Sequence, residues 1–244
     1  MSYTKSARKA VTRMTRSLRG ALHERTPGWA KHHLGPLAAH TDMMLVDHGI
    51  FRTLYLNLHA IDGQAFRSAQ PSPGQLARIA RRGVRSVINL RGDRDCGSYW
   101  LERRTCERIG LDLIDFKLRS RDAPSCAEIE AANELFSRVT YPILIHCKSG
   151  ADRAGLMSAL YLLLVRDMPI AVAKRQLSLR FGHIRQADTG ILDAFLGAYE
   201  RATAKRDIGF LEWVQTAYDP DEVRSEFRAD GMANRLVNGI LRRE

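Results

Sequence analysis

The sequence has few aromatic residues, 7% Phe, Tyr and Trp, and no stretch in which they alternate with basic side chains. A stacking platform for single-stranded nucleic acid needs that alternation, so nucleic acid is not an expected partner despite the net charge of +11. Cysteine is scarce as well. Cys96, Cys106, Cys126 and Cys147 follow neither zinc-site nor disulfide spacing, so no metal or other cofactor is expected and the thiols should be free. No apolar run approaches the ~20 residues of a membrane-spanning helix. The N-terminus lacks the apolar core of a secretory signal, which places the expected location in the cytoplasm. Internal repeats and low-complexity tracts are missing too.

What is present suffices for a folded core: 45% of the 244 residues are hydrophobic. Three regions are expected: a basic N-terminal extension over 1–42, a main domain over 43–204 and a C-terminal helical extension over 205–244. Residues 1–40 carry eight Lys or Arg against one acid, Glu24. Interleaved with Val11, Met14, Leu18 and Leu22, these cations can form a basic amphipathic helix with affinity for anionic membrane, or a solvated tail.

Within the main domain, Ser72, Pro73 and Gln75 predict a capped helix start. Residues 84–90 and 111–118 read as strands, and 99–109 as a helix. Ser125 and Glu128 predict a second capping box, opening a helix to about Val139. Residues 142–146 form an apolar run expected of a buried central strand. Helices are predicted over 154–166, 170–181 and 188–204. Strands alternating with helices imply an α/β fold with a central, mainly parallel sheet flanked by helices.

Ligands in such folds sit beyond the carboxyl ends of the strands. There the chain reads His146, Cys147, Lys148, Ser149, Gly150, Ala151, Asp152, Arg153. A strand delivers Cys147 to the sheet edge, and a helix begins near Arg153. Backbone amides around the curl and the helix start converge on one point, which suits a phosphate and stabilises a thiolate. Arg153 can close the cradle by paired hydrogen bonds to two phosphate oxygens. Residues Lys148 to Arg153 are therefore the candidate phosphate-binding loop, and Cys147 the candidate nucleophile.

Through His146, Cys147, Gly150 and Arg153 the sequence resembles the protein-tyrosine and dual-specificity phosphatase superfamily, whose signature is His-Cys, five residues, Arg. Phe66 to Pro71 and Val87 to Arg91 look like its atypical dual-specificity branch, and the likeness spans about residues 50–200. It implies that branch's fold and a phosphocysteine mechanism without cofactor. It also implies a general acid on a loop before the cysteine, for which Asp122 is the first candidate. Asp152, inside the loop, is the rival, and Asp115 is a weaker one. The family usually has Ser or Thr straight after the arginine, where this chain has Ala154. Either Ser149 or a water then compensates, or the phosphoenzyme breaks down slowly.

The expected substrate is a phosphorylated protein. A phosphorylated lipid or inositol is the alternative, favoured by Lys148 and the basic N-terminus, and a non-catalytic phosphate-binding module is the remote one. Arg67 and Arg91 stay outside the catalytic set, and Cys106 is expected to be a small buried hydrophobe. Cys126 reads as another, or as a thiol that pairs with Cys147 on oxidation.

Overall fold

A computed structural model of the chain describes residues 55–229. The basic extension expected over 1–42, whether amphipathic helix or solvated tail, falls outside these residues. Strand β1 (His59–Ala60) pairs antiparallel with β2 (Ala65–Ala69). The other three strands, β3 (Ser86–Asn89), β4 (Asp112–Asp115) and β5 (Ile143–Cys147), run parallel to β2. The sheet order is β1-β2-β5-β3-β4, so the apolar run at 143–147 is the central strand. The mainly parallel sheet flanked by helices is the expected architecture.

The helices are α1 (Pro73–Ala80), α2 (Gly97–Ile109), α3 (Cys126–Arg138), α4 (Asp152–Leu164), α5 (Ile170–Lys174), α6 (Ile191–Thr203) and α7 (Phe210–Thr216). Residues 220–229 are helical as well. Both expected capping boxes form, Ser72 with Gln75 and Ser125 with Glu128. Each satisfies two amides that the helix start leaves without partners.

Side chains alternate along β5 and divide the core into two layers. Ile143, Ile145 and Cys147 pack with α3, α4, α6 and α7, whereas Leu144 packs with Leu76 and Ile79 of α1 and Cys106 of α2. Cys106 is 1% exposed, and its thiol is pushed up to about 12 by burial and then by Glu102 and Glu107, as befits an inert core residue.

Two expectations need correction. The helix predicted over 170–181 ends at Lys174. Residues Leu179–Phe181 form a separate 3-10 turn closed by Gly182 in the left-handed region, and Arg67 takes the Gln176 carbonyl. The strand predicted over 111–118 is regular only from Asp112 to Asp115. Its continuation still pairs, since Phe116 N donates to Asn89 O (3.0 Å) and Leu118 N to Leu90 O (3.3 Å). The loop carrying Asp122 therefore leaves the same sheet edge as Cys147. Among the described residues no helix is long and apolar enough to cross a membrane.

Candidate active site

The chain turns from β5 into α4 through Lys148, Ser149, Gly150 and Ala151. This turn is built by contacts that no local pattern announces. Arg67, on β2, is 0% exposed. Its Nη2 donates to Gly150 O (2.7 Å) and Ala151 O (3.0 Å), and its Nη1 to Gln176 O (2.6 Å) and Gln176 Oε1 (2.9 Å). The guanidinium also lies 4.0 Å from the centre of the Phe181 ring. Burial lowers the Arg67 pKa to about 10, opposed by Cys147 and Asp152, so the cation persists at neutral pH. On the next flank, Asn57 Nδ2 donates to Ser149 O (3.0 Å) and Phe181 O (2.9 Å).

These contacts orient the loop amides. In a trans peptide unit the C=O and the following N–H point in opposite directions. The carbonyls of Ser149, Gly150 and Ala151 are turned toward Asn57 and Arg67. The N–H groups of Gly150, Ala151 and Asp152 therefore point away from those two side chains. Of these, the Ala151 amide makes a long contact to Ser149 Oγ at 3.4 Å. Gly150 has φ +76°, and a Cβ there would lie 2.6 Å from Ala69 N and 2.7 Å from Ser68 C. Backbone cannot yield to such contacts, so only glycine fits.

Cys147 ends β5 and is 2% exposed. His146 projects into the opposite layer, where its Nε2 is 2.7 Å from Glu102 Oε1 of α2. Glu102 Oε2 accepts from Gln70 Nε2 (2.7 Å), and Gln70 Oε1 accepts from Arg91. Arg67 and Arg91, left outside the catalytic set on sequence grounds, are both buried, one bracing the loop and one reaching the layer behind it. A charged residue among Ala65, Phe66, Ser68 and Ala69 on an otherwise uncharged, largely buried strand is the available signal for Arg67.

Arg153, in the first turn of α4, donates from Nη1 to Leu90 O (3.2 Å), the same carbonyl that accepts from Leu118 N. Arg153 and the start of the Asp122 loop therefore meet at one oxygen. Lys148 is half-buried and Ser149 exposed. Ala154 is 0% exposed, so the position after the arginine presents a methyl group to the core.

Asp152 faces His183, whose Nδ1 is 2.8 Å from Asp152 Oδ1 and whose Nε2 is 2.7 Å from Asp193 Oδ2. Burial alone would lower the His183 pKa, but the two carboxylates overcome it and raise the value to about 9. The imidazolium so formed offsets carboxylate charge beside the loop. A raised folded-state value contributes stability that is fully present below the unfolded pKa of about 6.5 and lost as pH rises through about 9. His183→Gln should flatten the decline in urea midpoint between pH 6 and pH 9. An unchanged slope in that variant would remove the imidazolium from this account.

Asp122 lies in the loop between β4 and α3. Its Oδ1 accepts from Arg224 Nε (2.7 Å) and its Oδ2 from Arg119 Nη1 (3.0 Å). Arg224 above all, with Arg119, holds the carboxyl below its usual range against the effect of partial burial. Asp115, the third carboxyl weighed, accepts from Tyr99 OH (2.5 Å) and Asn89 Nδ2 (2.7 Å). Cys126 Sγ is 3.5 Å from Val214 O. Among the described residues no group of three or more His, Cys, Asp and Glu is placed to hold a metal ion.

Comparison with known proteins matches residues 59–190 to the family described as "DSP-PTPase phosphatase fused to NAD+ Kinase". Over 112 residues, 46% of this chain and 48% of the relative, the chain is 27% identical to the dual specificity protein phosphatase TpbA of Pseudomonas aeruginosa strain UCBPP-PA14. The chain thus spans about half the length of the curated relatives it matches. The crystal structure of P. aeruginosa TpbA aligns with 70% of this chain and 90% of its own, at 20% identity and a TM-score of 0.49. That of PTPMT1 aligns with 61% of this chain and 99% of its own, at 19% identity and a TM-score of 0.44. With more than half of its residues covered by the family model, the chain belongs to the DSP-PTPase phosphatase family.

Proposed function

We propose that the chain hydrolyses phosphate monoesters through a phosphocysteine intermediate, with phosphorylated protein as the substrate. Cys147 thiolate attacks phosphorus in line. The S–P bond forms as the P–O bond to the leaving group breaks, and Asp122 gives that oxygen its proton. A water then attacks phosphorus and passes its proton to the Asp122 carboxylate, the S–P bond breaks, and inorganic phosphate leaves. Arg153, whose Nη1 donates to Leu90 O, has Nε and Nη2 to offer two equatorial oxygens. Asp122 must acquire a proton that its two arginines disfavour.

The observation that carries this reading is the set of three loop carbonyls turned toward Arg67 and Asn57, which aims the amides of residues 150–152 the other way. Fixed amides stabilise the charge that develops on a transferring phosphoryl group and that of the thiolate, without reorganisation. Since amides and Arg153 supply the positive field, the chemistry calls for no metal. Hydrolysis of p-nitrophenyl phosphate should persist in excess EDTA and stop with micromolar-range vanadate. Loss of activity in EDTA that added metal restores would refute the mechanism.

One observation favours a phosphorylated lipid or inositol as substrate. Leu179 and Ile184 are 77% and 51% exposed, in a segment that contacts the loop through Asn57 and carries Arg180 and Arg185. An apolar and basic lip beside a phosphate cradle suits an anionic interface. Faster turnover of a phospholipid in vesicles than of a phosphotyrosine peptide would select this reading.

A further inference from the structure

The acid loop is gripped by a part of the chain that lies beyond the residues matched to the family. Tyr218 OH donates to Pro124 O (2.6 Å), and Arg224 Nη2 reaches Ala123 O at 3.5 Å beside its 2.7 Å bond to Asp122. Cys126 Sγ, at the start of α3, faces both Val214 O (3.5 Å) and Tyr218 O (3.8 Å). Three consecutive positions of the loop, Asp122 to Pro124, and the start of α3 thus meet Val214 of α7, Tyr218 just beyond it and Arg224 in the helical residues 220–229.

This strap is not loosely attached. Val214 and Val223 are 1% and 3% exposed. The Tyr218 ring lies 4.8 Å from Trp213 and 5.2 Å from Phe195, centre to centre, close enough for favourable aromatic contact. Arg224 is itself fixed by Asp221, whose Oδ1 accepts from Nη1 at 2.6 Å. A packed and doubly bonded guanidinium is a fixed charge rather than a mobile one.

We propose that Arg224, fixed by Asp221 on a strap anchored through Tyr218, is a positioning residue for the proton transfer: it holds the Asp122 carboxylate in place and decides at what pH that carboxyl keeps its proton. This rests on the reading of Asp122 as the acid. The groups facing Asp122 are Arg119 from its own loop, Arg224 from the strap and the Tyr218 phenol beneath it. Arg121, the next cation along, is turned to Asp188 at 4.0 Å. The paired contacts stabilise the ionised carboxyl, and a nearby arginine typically lowers a carboxyl pKa by about 1–3 units. Without the guanidinium the carboxyl keeps its proton to higher pH. Only leaving groups that need a proton sense the change.

The test compares pH profiles of kcat/KM for phenyl phosphate, a poor leaving group, and 2,4-dinitrophenyl phosphate, which departs unassisted. Arg224→Met should move the alkaline limb for phenyl phosphate upward by about one pH unit and raise its rate at pH 7 by up to about tenfold. The dinitrophenyl rate should stay within about twofold. Arg224→Lys, which keeps the charge but not the shaped contact, should shift the limb in the same direction by less, and it serves if the Met variant folds poorly. In an Asp122→Asn background the Arg224 effect should vanish. An unmoved limb in both Arg224 variants, with Asp122→Asn still impaired, overturns this inference alone. Normal phenyl phosphate hydrolysis by Asp122→Asn overturns the acid assignment and this inference with it. Activity retained by Cys147→Ser overturns the phosphocysteine reading itself.

Discussion

Cys147→Ser loses phosphatase activity by about four orders of magnitude or more while the fold survives. The sulfur is 2% exposed in a layer of apolar side chains, and an ion buried there is tolerated only if fixed dipoles and charges compensate it. In the proposed mechanism Arg67, the loop amides and the start of α4 supply that compensation. A serine hydroxyl in the same place has almost the same shape, so packing changes little. Its alkoxide is far less accessible than a thiolate, so the nucleophile is lost. Steady-state hydrolysis of p-nitrophenyl phosphate measures the first effect, and the urea midpoint the second. The variant should still bind vanadate or inorganic phosphate, because Arg153 and the amides remain. Hydrolysis at a tenth of the normal rate by a folded Ser variant would assign the chemistry elsewhere.

Arg67→Met has the other large expected effect, and it acts on both stability and rate. The substitution keeps much of the side-chain length but removes four donated hydrogen bonds of 2.6–3.0 Å. The buried Gly150 carbonyl and the half-buried Gln176 carbonyl lose these bonds, and the Ala151 carbonyl keeps only its helical bond from Gly155 N. Removing one partner from a buried, charged arrangement costs about 3–5 kcal/mol, chiefly through the groups left behind. With the carbonyls released, the peptide planes can rotate and the amides no longer converge. A misplacement of about 1 Å in a catalytic array can cost about a hundredfold in rate, and kcat should fall by that order even in molecules that remain folded. Arg67→Lys should recover part of the stability and little of the rate, since one ammonium cannot bridge the two sides that the guanidinium fork joins. A Met variant with normal urea midpoint and normal kcat would show that the loop stands without its brace.

What the sequence disclosed, and what it withheld, divides along the range of the interactions. The two capping boxes, the central strand at 143–147 and the loop from Cys147 to Arg153 are written in adjacent residues, and their local geometry follows from those residues. The helix predicted over 170–181 shows the limit. Its apolar spacing continues past Lys174, but Arg67, 109 positions earlier, takes the Gln176 carbonyl. The roles of Asn57, Arg67 and His183 are not legible in the sequence because each acts across a large separation: 92 positions from Asn57 to Ser149, 83 from Arg67 to Gly150 and 31 from His183 to Asp152. Asp122 was legible as a loop carboxyl ahead of a capped helix. Its attachment to Arg224, 102 positions later, was not. The rivalry between Asp122 and Asp152 likewise turns on partners that only the folded chain brings near.

The alternation along β5 has a consequence for how this region can change over evolutionary time. The Cys147 sulfur and the neighbouring His146 imidazole occupy opposite layers, joined by a single peptide unit. Inserting or deleting one residue in the strand would exchange their destinations, sending the imidazole toward α4 and the sulfur toward Glu102. Point substitutions can be absorbed by repacking, but a change of length here has no conservative version. Variation in length should therefore be confined to the surface connections, with the spacing from Ile143 to Arg153 kept fixed as one unit.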